Sequence, residues 1–400
     1  MSYEKIIEYV KGLDYPIEKY VNLDECYDNI KNSNGVKFTT TFPYTFLTNI
    51  NSRDIKVNHL GLYILERDTM NKCHNVGSQF NLIVRSKSRR FDSISSYEYW
   101  NTKKDEVIKL AKTHVEKYKD DYNNEELPIE LGGTESDKNH VSLEHECSLC
   151  LFRLGMPSAF PSNLMTAMLR DKISKHNIKY NNDPYKVLDI SAGWGDRLIS
   201  ACSMDIVYTA CDPNTNMKPI YEKIIEKYGN MNKQRVYTIP FEDYIPEDNA
   251  LKYNALYTSP PFFDLEIYCD EDTQSTSRYK SPEKWLNCFL KPCLNKCNDL
   301  LLEGADIYLH LSDLKSENNT FQYVKDVIIY CTRTLKWKFI GVYGHTIGDK
   351  IDKESETIES RNIKNSMLLK PTSFIKSFKD GVRVNKRGEA LSQSIWYFIK

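Results

Sequence analysis

Two consecutive prolines, Pro260 and Pro261, closely follow the β-prone run Ala255-Leu256-Tyr257. Each proline lacks an N–H donor and has a fixed φ, so the pair is excluded from the interior of a helix or a central strand. We therefore predict a strand that ends here and opens into a rigid loop. In this loop Ser259 precedes the prolines and Phe262 follows them. A hydrogen-bond acceptor beside a flat aromatic surface suits a planar group that carries an exocyclic amine.

The segment 186–198 predicts a strand, a glycine turn and a helix. Its apolar strand ends at Asp189, and the turn contains Gly193 and Gly195. Glycine allows a positive φ and lets the backbone approach a ligand, while the next helix offers its free N–H groups. Leu198 replaces the third glycine of a dinucleotide-binding turn, and the turn has no Gly-Lys-Ser/Thr phosphate loop. Asp189 would repel a pyrophosphate but suits the cationic methionine amine of S-adenosylmethionine, and an ordinary strand–helix turn is the remaining alternative.

Two further strands are predicted to end at acidic residues. The run 206–211 ends at Asp212, at the position, about 20 residues past the glycine turn, where an acid binds ribose hydroxyls. The run 235–239 leads to Asp243. Ligands of open α/β sheets bind at the carboxyl ends of the strands. We therefore expect these acids, the glycine turn and Ser259 to surround one site.

The loop Ser259-Pro260-Pro261-Phe262 resembles the catalytic Asn/Ser/Asp-Pro-Pro-Tyr/Phe motif of class I S-adenosylmethionine-dependent nucleic-acid amino-methyltransferases. Upstream, Pro157 to Pro161 resembles the Pro-x-x-Phe-Pro segment of the DNA enzymes, which closes over the methionine end of the cofactor. The chain departs from the family at Ser191, where base methyltransferases often carry an aromatic residue. The resemblance implies S-adenosylmethionine as cofactor, and it implies two sets of site residues. The catalytic residues would be Ser259, Pro260, Pro261 and Phe262, and the cofactor-binding residues would be Phe160, Asp189, Ser191, Gly193, Gly195, Asp212 and Asp243.

In this family Ser259 would help to activate an exocyclic amine of a nucleic-acid base, most readily in DNA, with RNA as a second choice. Serine at this position favours cytosine N4, whereas the order of the motifs along the chain favours adenine N6. Three alternatives stay open. They are an RNA or mRNA-cap adenine methyltransferase, a protein-glutamine methyltransferase, and a non-catalytic nucleic-acid-binding subunit with the same fold.

The predicted fold is α/β, with a Rossmann-like seven-stranded methyltransferase sheet over residues 141–400 and an additional N-terminal α+β domain over residues 1–140. Strands five to seven are predicted at 305–309, 338–343 and 394–399, and a helix at 285–302 with a kink at Pro292. The N-terminal domain, which could bind substrate, has β-prone runs at 36–42, 60–65 and 80–85. A charged helix is predicted near 103–120.

Overall charge points to no partner, because 54 basic and 55 acidic residues give a formal net charge of −1. Local basic segments are candidates for contacts with nucleic acid, although solvated loops would have the same composition. They are residues 85–90, the basic insertion at 361–387 and the loop at 270–280. The predicted substrate-binding residues in the last two are Arg278, Lys280, Arg383, Lys386 and Arg387.

The sequence has no apolar run of membrane-spanning length and does not begin like a signal peptide. We therefore expect an intracellular protein, cytoplasmic or, for a viral protein, in the host compartment of replication, with eleven cysteines as reduced thiols. The segment 145–150 offers His145, Cys147 and Cys150, but a structural zinc site needs four ligands, so no metal is predicted. Nothing in the sequence indicates an oligomeric state.

Overall fold

The structure is a computed structural model, and it describes most of the chain. The described residues are 3–16, 22–32, 36–38, 59–90, 93–121, 143–153, 156–180, 183–248, 250–264, 266–311, 314–315, 320–321, 323–348, 377–379, 382–384 and 393–400.

Within these residues the helices are α1 (Tyr3–Gly12), α2 (Leu23–Lys31), α3 (Arg67–Ser86), α4 (Ser96–Asp121), α5 (Leu143–Arg153), α6 (Ser162–Lys179), α7 (Asp196–Met204), α8 (Lys218–Tyr228), α9 (Ser275–Arg278), α10 (Pro282–Lys284), α11 (Lys291–Leu300) and α12 (Val324–Arg333). The strands are β1 (Val36–Phe38), β2 (His59–Glu66), β3 (Arg89–Arg90), β4 (Lys186–Asp189), β5 (Val207–Cys211), β6 (Gln234–Tyr237), β7 (Tyr253–Thr258), β8 (Glu266–Ile267), β9 (Leu301–His310), β10 (Leu314–Lys315), β11 (Thr320–Phe321), β12 (Lys338–Gly348), β13 (Ser377–Lys379), β14 (Val382–Val384) and β15 (Gln393–Ile399).

The main sheet of the described residues has eleven strands, and seven of them form its central part in the order β6-β5-β4-β7-β9-β15-β12. Neighbours from β6 to β9 pair in parallel, and β15 is antiparallel to both β9 and β12. The chain leaves β4 toward β5 and β6 on one side, and later fills β7 and β9 on the other. Such a reversal leaves a crevice at the carboxyl ends of β4 and β7, where ligands of open α/β sheets bind. The predicted Rossmann-like seven-stranded sheet is confirmed.

The two faces of the sheet are both covered, because successive side chains along a strand point to opposite faces. Val187 of β4 and Tyr257 of β7 are buried against α6, α7 and α8. Leu188 and Leu256, one residue away in each strand, are buried in the core formed with α11 and α12. Burial on both faces explains why these strands are continuous apolar runs rather than alternating ones.

The N-terminal segment extends the same sheet. Strand β2 pairs in parallel with β12, and β1 pairs with β2. Helices α2 and α3 contribute Ile30 and Val76 to the core beside α7, while α5 packs with α1 and α4 around Trp100. The domain boundary at residue 140 stays a prediction, and these contacts cross it. The prediction of a strand at 80–85 was wrong, since these residues lie in α3.

The helix predicted over 285–302 is divided in the structure. Residues Trp285–Leu290 form a π-helical segment, α11 follows, and β9 already begins at Leu301. Pro292 lies in the first turn of α11, where its missing N–H removes no helical hydrogen bond of that helix. Among the described residues, no helix has the length and apolarity needed to cross a membrane.

Candidate active site

The glycine turn after β4 places backbone where a ligand can reach it. Gly193 has φ +60° and Gly195 has φ +88°, both in the region that favours glycine. A Cβ on Gly195 would lie 2.8 Å from the Ile224 side chain, so only glycine fits there without a shift. A Cβ on Gly193 would lie 3.9 Å from Nη2 of Arg197 and from the carbonyl oxygen of Ser191, which is ordinary van der Waals contact. Gly193 itself is only partly buried, so a ligand can approach the backbone of the turn at this residue.

Asp212 lies at the end of β5, beside the glycine turn. Its Oδ2 accepts a hydrogen bond from the Gly193 N–H at 2.8 Å, and its Oδ1 accepts one from the Asn214 N–H at 3.0 Å. The carboxylate is partly buried, and desolvation raises its pKa to about 6. Because each carboxylate oxygen has two lone pairs, Asp212 retains acceptor capacity for the hydroxyls of a ribose.

Asp189 is fully buried. Its Oδ2 lies 2.6 Å from Nε of Arg197 and accepts a hydrogen bond from the Tyr208 hydroxyl at 2.7 Å. Its Oδ1 accepts hydrogen bonds from the Thr258 hydroxyl at 2.7 Å and from the Ser191 N–H at 3.1 Å. Arg197 is therefore the charged partner of Asp189 within the protein, and the binding of a cationic cofactor amine by Asp189 stays a prediction.

Ser191 connects the glycine turn to the loop that contains the two prolines. Its hydroxyl donates to the carbonyl oxygen of Ser259 at 2.8 Å and lies 3.1 Å from the Thr258 hydroxyl. Ser191 stands where the resembling family often carries an aromatic residue. In this chain the position holds a short side chain that links the ends of β4 and β7.

The predicted catalytic loop begins where β7 ends. Pro260 is buried and Pro261 is partly buried. The next aromatic pair differs in burial, since Phe262 is partly exposed and Phe263 is buried against Trp285. Phe263 has φ +44°, which is uncommon for a bulky residue and indicates local backbone strain. The strand end and the loop predicted from the proline pair are present, and the rigidity of the loop stays a prediction.

Ser259 has a partner that the sequence analysis did not identify. Its Oγ lies 2.9 Å from Nδ1 of His310, the last residue of β9. The ring of His310 is in edge-on contact with Phe262 at 5.9 Å and with Phe160 at 5.5 Å, between ring centroids. The Arg197 guanidinium lies over the Phe160 ring at 5.1 Å. The sequence did contain a signal for this contact. His310 directly follows the predicted fifth strand, and in such sheets that strand is a neighbour of the strand that ends at the proline loop.

Asp243 and Arg278 were predicted to bind different ligands, but they bind each other. Nη2 of Arg278 donates to Oδ2 of Asp243 at 2.8 Å, and Nη1 lies 3.7 Å from Glu242. The hydrogen bond from Arg278 lowers the pKa of Asp243. Asp243 lies just past β6, where the sequence predicted one of the acidic residues of the site. Arg278 belongs to the loop that follows the prolines. Lys280 is exposed nearby in the chain.

The structure describes the other two basic segments, 85–90 and 361–387, to different extents. Arg85 is buried and donates to the Ser78 hydroxyl at 3.3 Å. This residue of segment 85–90 is therefore not accessible to a phosphate. Arg89 pairs with Asp270 at 3.3 Å, and β3 pairs with β8. In the insertion at 361–387, Arg383 lies in β14. Lys386 and Arg387 lie outside the described residues.

The segment after β8 folds toward the loop that follows β5. The Glu271 carboxylate accepts hydrogen bonds from the Thr215 N–H and hydroxyl, and the Thr273 hydroxyl donates to the carbonyl oxygen of Pro213 at 3.4 Å. The Ser88 hydroxyl donates to the carbonyl oxygen of Tyr268 at 2.9 Å. These contacts tie the loop predicted to contact substrate to both the Asp212 side of the site and the N-terminal segment.

Cys147 and Cys150 lie in α5 and are buried. Burial raises the pKa of the Cys147 thiol to about 12. Among the residues that the structure describes, no group of three or more His, Cys, Asp or Glu side chains is arranged to hold a metal ion.

Strand order and the position of the glycine turn define the class of fold. The chain has the Rossmann-like fold of S-adenosylmethionine-dependent methyltransferases, with a reversed seventh strand. No protein-family profile and no curated protein matches the sequence.

Solved methyltransferase structures resemble the chain at low identity. A SAM-dependent methyltransferase from Agrobacterium tumefaciens is 13% identical at a TM-score of 0.36, over 62% of this chain and 64% of that one. The magnesium protoporphyrin IX methyltransferase of Synechocystis PCC 6803, solved with bound SAM, is 9% identical at 0.32, over 62% and 86%. A precorrin-6y C5,15-methyltransferase from Geobacter metallireducens GS-15 is 8% identical at 0.32, over 60% and 88%. At such scores these likenesses carry no argument about activity. The fold assignment rests on the strand topology of the chain itself.

Proposed function

We propose that the protein is an S-adenosylmethionine-dependent methyltransferase that acts on an exocyclic amino group of a nucleic-acid base, with DNA favoured over RNA. One observation carries the proposal. The Ser259 hydroxyl, 2.9 Å from His310, stands beside Phe262 at the carboxyl end of β7, and Ser191 links this loop to the glycine turn. A hydrogen-bond acceptor and an aromatic surface thus adjoin the glycine turn, which we assign to the cofactor.

The residues of the turn fit a nucleoside cofactor with a cationic amino-acid end. The backbone of Gly193 is only partly buried, and Asp212 keeps acceptor capacity for ribose hydroxyls. We assign Asp243, beyond β6, to the adenine amine, which it would bind together with Arg278 or in exchange for it. When bound, S-adenosylmethionine supplies an electrophilic methyl group.

The residues of the proline loop would act on the target amine. The nitrogen of an aromatic amine is a poor nucleophile, because its lone pair is delocalised into the ring. Hydrogen bonds from that amine to the Ser259 hydroxyl and to the Pro260 carbonyl oxygen would turn the lone pair out of the ring plane. Phe262 would stack on the base, and a base in a duplex would have to leave the helix to reach this loop. Positioning and fixed dipoles would supply most of the rate enhancement.

The direct test is transfer of a labelled methyl group to separate DNA, RNA and protein pools, followed by nucleoside and amino-acid analysis of the product. We expect N6-methyladenine or N4-methylcytosine in the nucleic-acid pools. Label in protein alone would support a glutamine methyltransferase instead. No transfer to any pool, with nucleic acid still bound, would support a non-catalytic subunit.

Ser259→Ala and Phe262→Ala should lower the single-turnover rate by about tenfold or more, equivalent to about 1.4 kcal/mol per decade. Their cofactor affinity, measured by calorimetry, should stay close to that of the parent, because neither side chain belongs to the glycine turn. Phe152→Ala is the matched control, since Phe152 is an exposed phenylalanine of α5. If both loop variants transfer methyl groups at the control's rate, the loop is only structural.

A further inference from the structure

His310 is held in one orientation beside Ser259. Strands β7 and β9 pair in parallel with Thr258 opposite Leu309, so the next residue of each strand lies at the same carboxyl edge. On its other side, β15 pairs with β9 and places Ile395 opposite His310. The side chain is only 5% exposed, so the ring cannot turn freely into solvent.

Two aromatic rings limit the rotation of His310 further. Phe160 packs edge-on at an interplanar angle of 81°, and Phe262 packs at 76°. The chain after His310 is also fixed, because the Trp396 indole N–H donates to the carbonyl oxygen of Leu311 at 3.0 Å. A buried imidazole with this much packing presents Nδ1 to the Ser259 hydroxyl in a constant geometry.

We infer that His310 is a positioning residue for methyl transfer, with an unprotonated Nδ1 that accepts the hydrogen of the Ser259 hydroxyl. A hydroxyl has one hydrogen and two lone pairs. When its hydrogen is directed to His310, both lone pairs of Oγ are available to accept from the target amine. With the opposite polarity, Nδ1–H would occupy one lone pair, and the freed hydroxyl hydrogen could donate to the very nitrogen whose lone pair must attack. The inference rests on the proposed function, since it concerns the same reaction.

Two substitutions separate hydrogen bonding from packing. His310→Asn keeps an acceptor oxygen near the position of Nδ1 but loses the ring, whereas His310→Phe keeps a ring but has no acceptor. We expect His310→Phe to lower the single-turnover rate by about tenfold, as for the loss of one hydrogen bond, and His310→Asn by less than about threefold. Cofactor affinity should be unchanged in both. A faster His310→Phe variant than His310→Asn variant would overturn the inference in favour of packing.

A double-mutant cycle identifies Ser259 as the residue through which His310 acts. In the Ser259→Ala background, His310→Phe should change the rate by less than about twofold, because there is no hydroxyl left to orient. Additive losses of rate would assign His310 a role independent of Ser259. Thermal unfolding of each variant identifies any that fail to fold. If His310→Phe does not fold, the rate of His310→Asn decides: a loss of less than about threefold supports the inference, and a larger loss overturns it.

The polarity of the hydrogen bond can be measured without any activity. Nitrogen-15 NMR of the histidine-labelled protein should report an unprotonated, hydrogen-bonded Nδ1 for His310, with a shift that changes in Ser259→Ala. A protonated Nδ1 in the resting protein would overturn the inference, whichever substrate the enzyme has. Failure of methyl transfer to every nucleic-acid pool, with the expected NMR result, would instead contradict the proposed function.

Discussion

Asp189 and Arg197 form an ion pair inside the protein, with 2.6 Å between Oδ2 and Nε, where β4 ends and α7 begins. Neither side chain is more than 4% exposed. Burial opposes the charge of Arg197, but Asp189, Tyr208 and Tyr257 together outweigh it and raise the pKa of the guanidinium. The glycine turn connects these two residues along the chain. Their ion pair therefore holds the two ends of the turn together.

Removal of either partner should destabilise the fold strongly. Asp189→Ala leaves Arg197 as a buried, uncompensated charge, and the cost should be about 3–5 kcal/mol in the free energy of unfolding. Denaturant titration measures it. Lys186→Ala is the control, because it breaks the more exposed pair with Asp183 at 3.0 Å, for which we expect less than about 1 kcal/mol. Equal losses in the two variants would show that the buried pair has no special role.

The sequence predicted the parts of the site that depend on local patterns. Proline chemistry placed the end of β7, and the glycine spacing placed the turn after β4. The partners of Asp189 were not predictable, because Arg197, Tyr208 and Thr258 meet it only when three segments pack together. The same holds for His310, whose contact with Ser259 depends on β9 being the neighbour of β7. An acid at a strand end has the same local sequence whether it faces a ligand or a buried arginine.

Asp212 should make cofactor binding dependent on pH. Desolvation raises its pKa from 3.8 to about 6, so between these values the folded protein binds a proton that the unfolded chain releases. This group therefore makes the fold more stable as the pH falls through that window. Cofactor binding should respond in the opposite direction, because ribose hydroxyls donate best to the ionised carboxylate. We expect S-adenosylmethionine affinity to fall as the pH drops below about 6.

Calorimetric titrations between about pH 5 and pH 7.5 test this prediction. Asp212→Asn should bind the cofactor more weakly, by roughly 1–3 kcal/mol, and should lose the pH dependence. Asp196→Asn is the control. Burial also raises the pKa of Asp196 to about 6, but Asp196 lies in α7 and is not assigned to the ribose. If the pH dependence disappears in Asp196→Asn and persists in Asp212→Asn, the assignment to Asp212 is wrong.

Helix α3 of the N-terminal segment should be required for a well-formed glycine turn. A Cβ on Gly77 would lie 2.7 Å from Oδ1 of Asp196, and the Asn81 amide donates to the carbonyl oxygen of Trp194 at 2.8 Å. Gly77→Ala displaces the Asp196 carboxylate at the start of α7, and Asn81→Ala removes the hydrogen bond. Each should weaken cofactor binding by about 1 kcal/mol, about fivefold in Kd. Gly12→Ala is the control, because its Cβ would have no atom within 4 Å.

Calorimetry on the three variants gives the answer, together with their free energies of unfolding. Parent-like affinity in both Gly77→Ala and Asn81→Ala would separate the N-terminal segment from the cofactor site. That result would favour an independent domain that ends near residue 140.

The basic insertion at 361–387 should provide the phosphate contacts of the substrate. Net charge is close to zero, so binding of nucleic acid must depend on local basic residues. Substitution of Arg383, Lys386 and Arg387 by alanine should flatten the log–log dependence of affinity on salt by up to about three units, at about 0.9 per phosphate contacted in duplex DNA. Cofactor affinity should stay unchanged, because none of the three belongs to the glycine turn.

A second triple variant controls for loss of charge alone. Lys218, Lys223 and Lys227 are exposed on α8, and their substitution by alanine removes the same three charges from another surface. Fluorescence anisotropy at several salt concentrations, with DNA and with RNA, gives the slope for each variant. Similar slopes for the two triple variants would mean that the insertion makes no specific phosphate contacts. Parent affinity and parent slope in the insertion variant would favour a small-molecule or protein amine as the substrate.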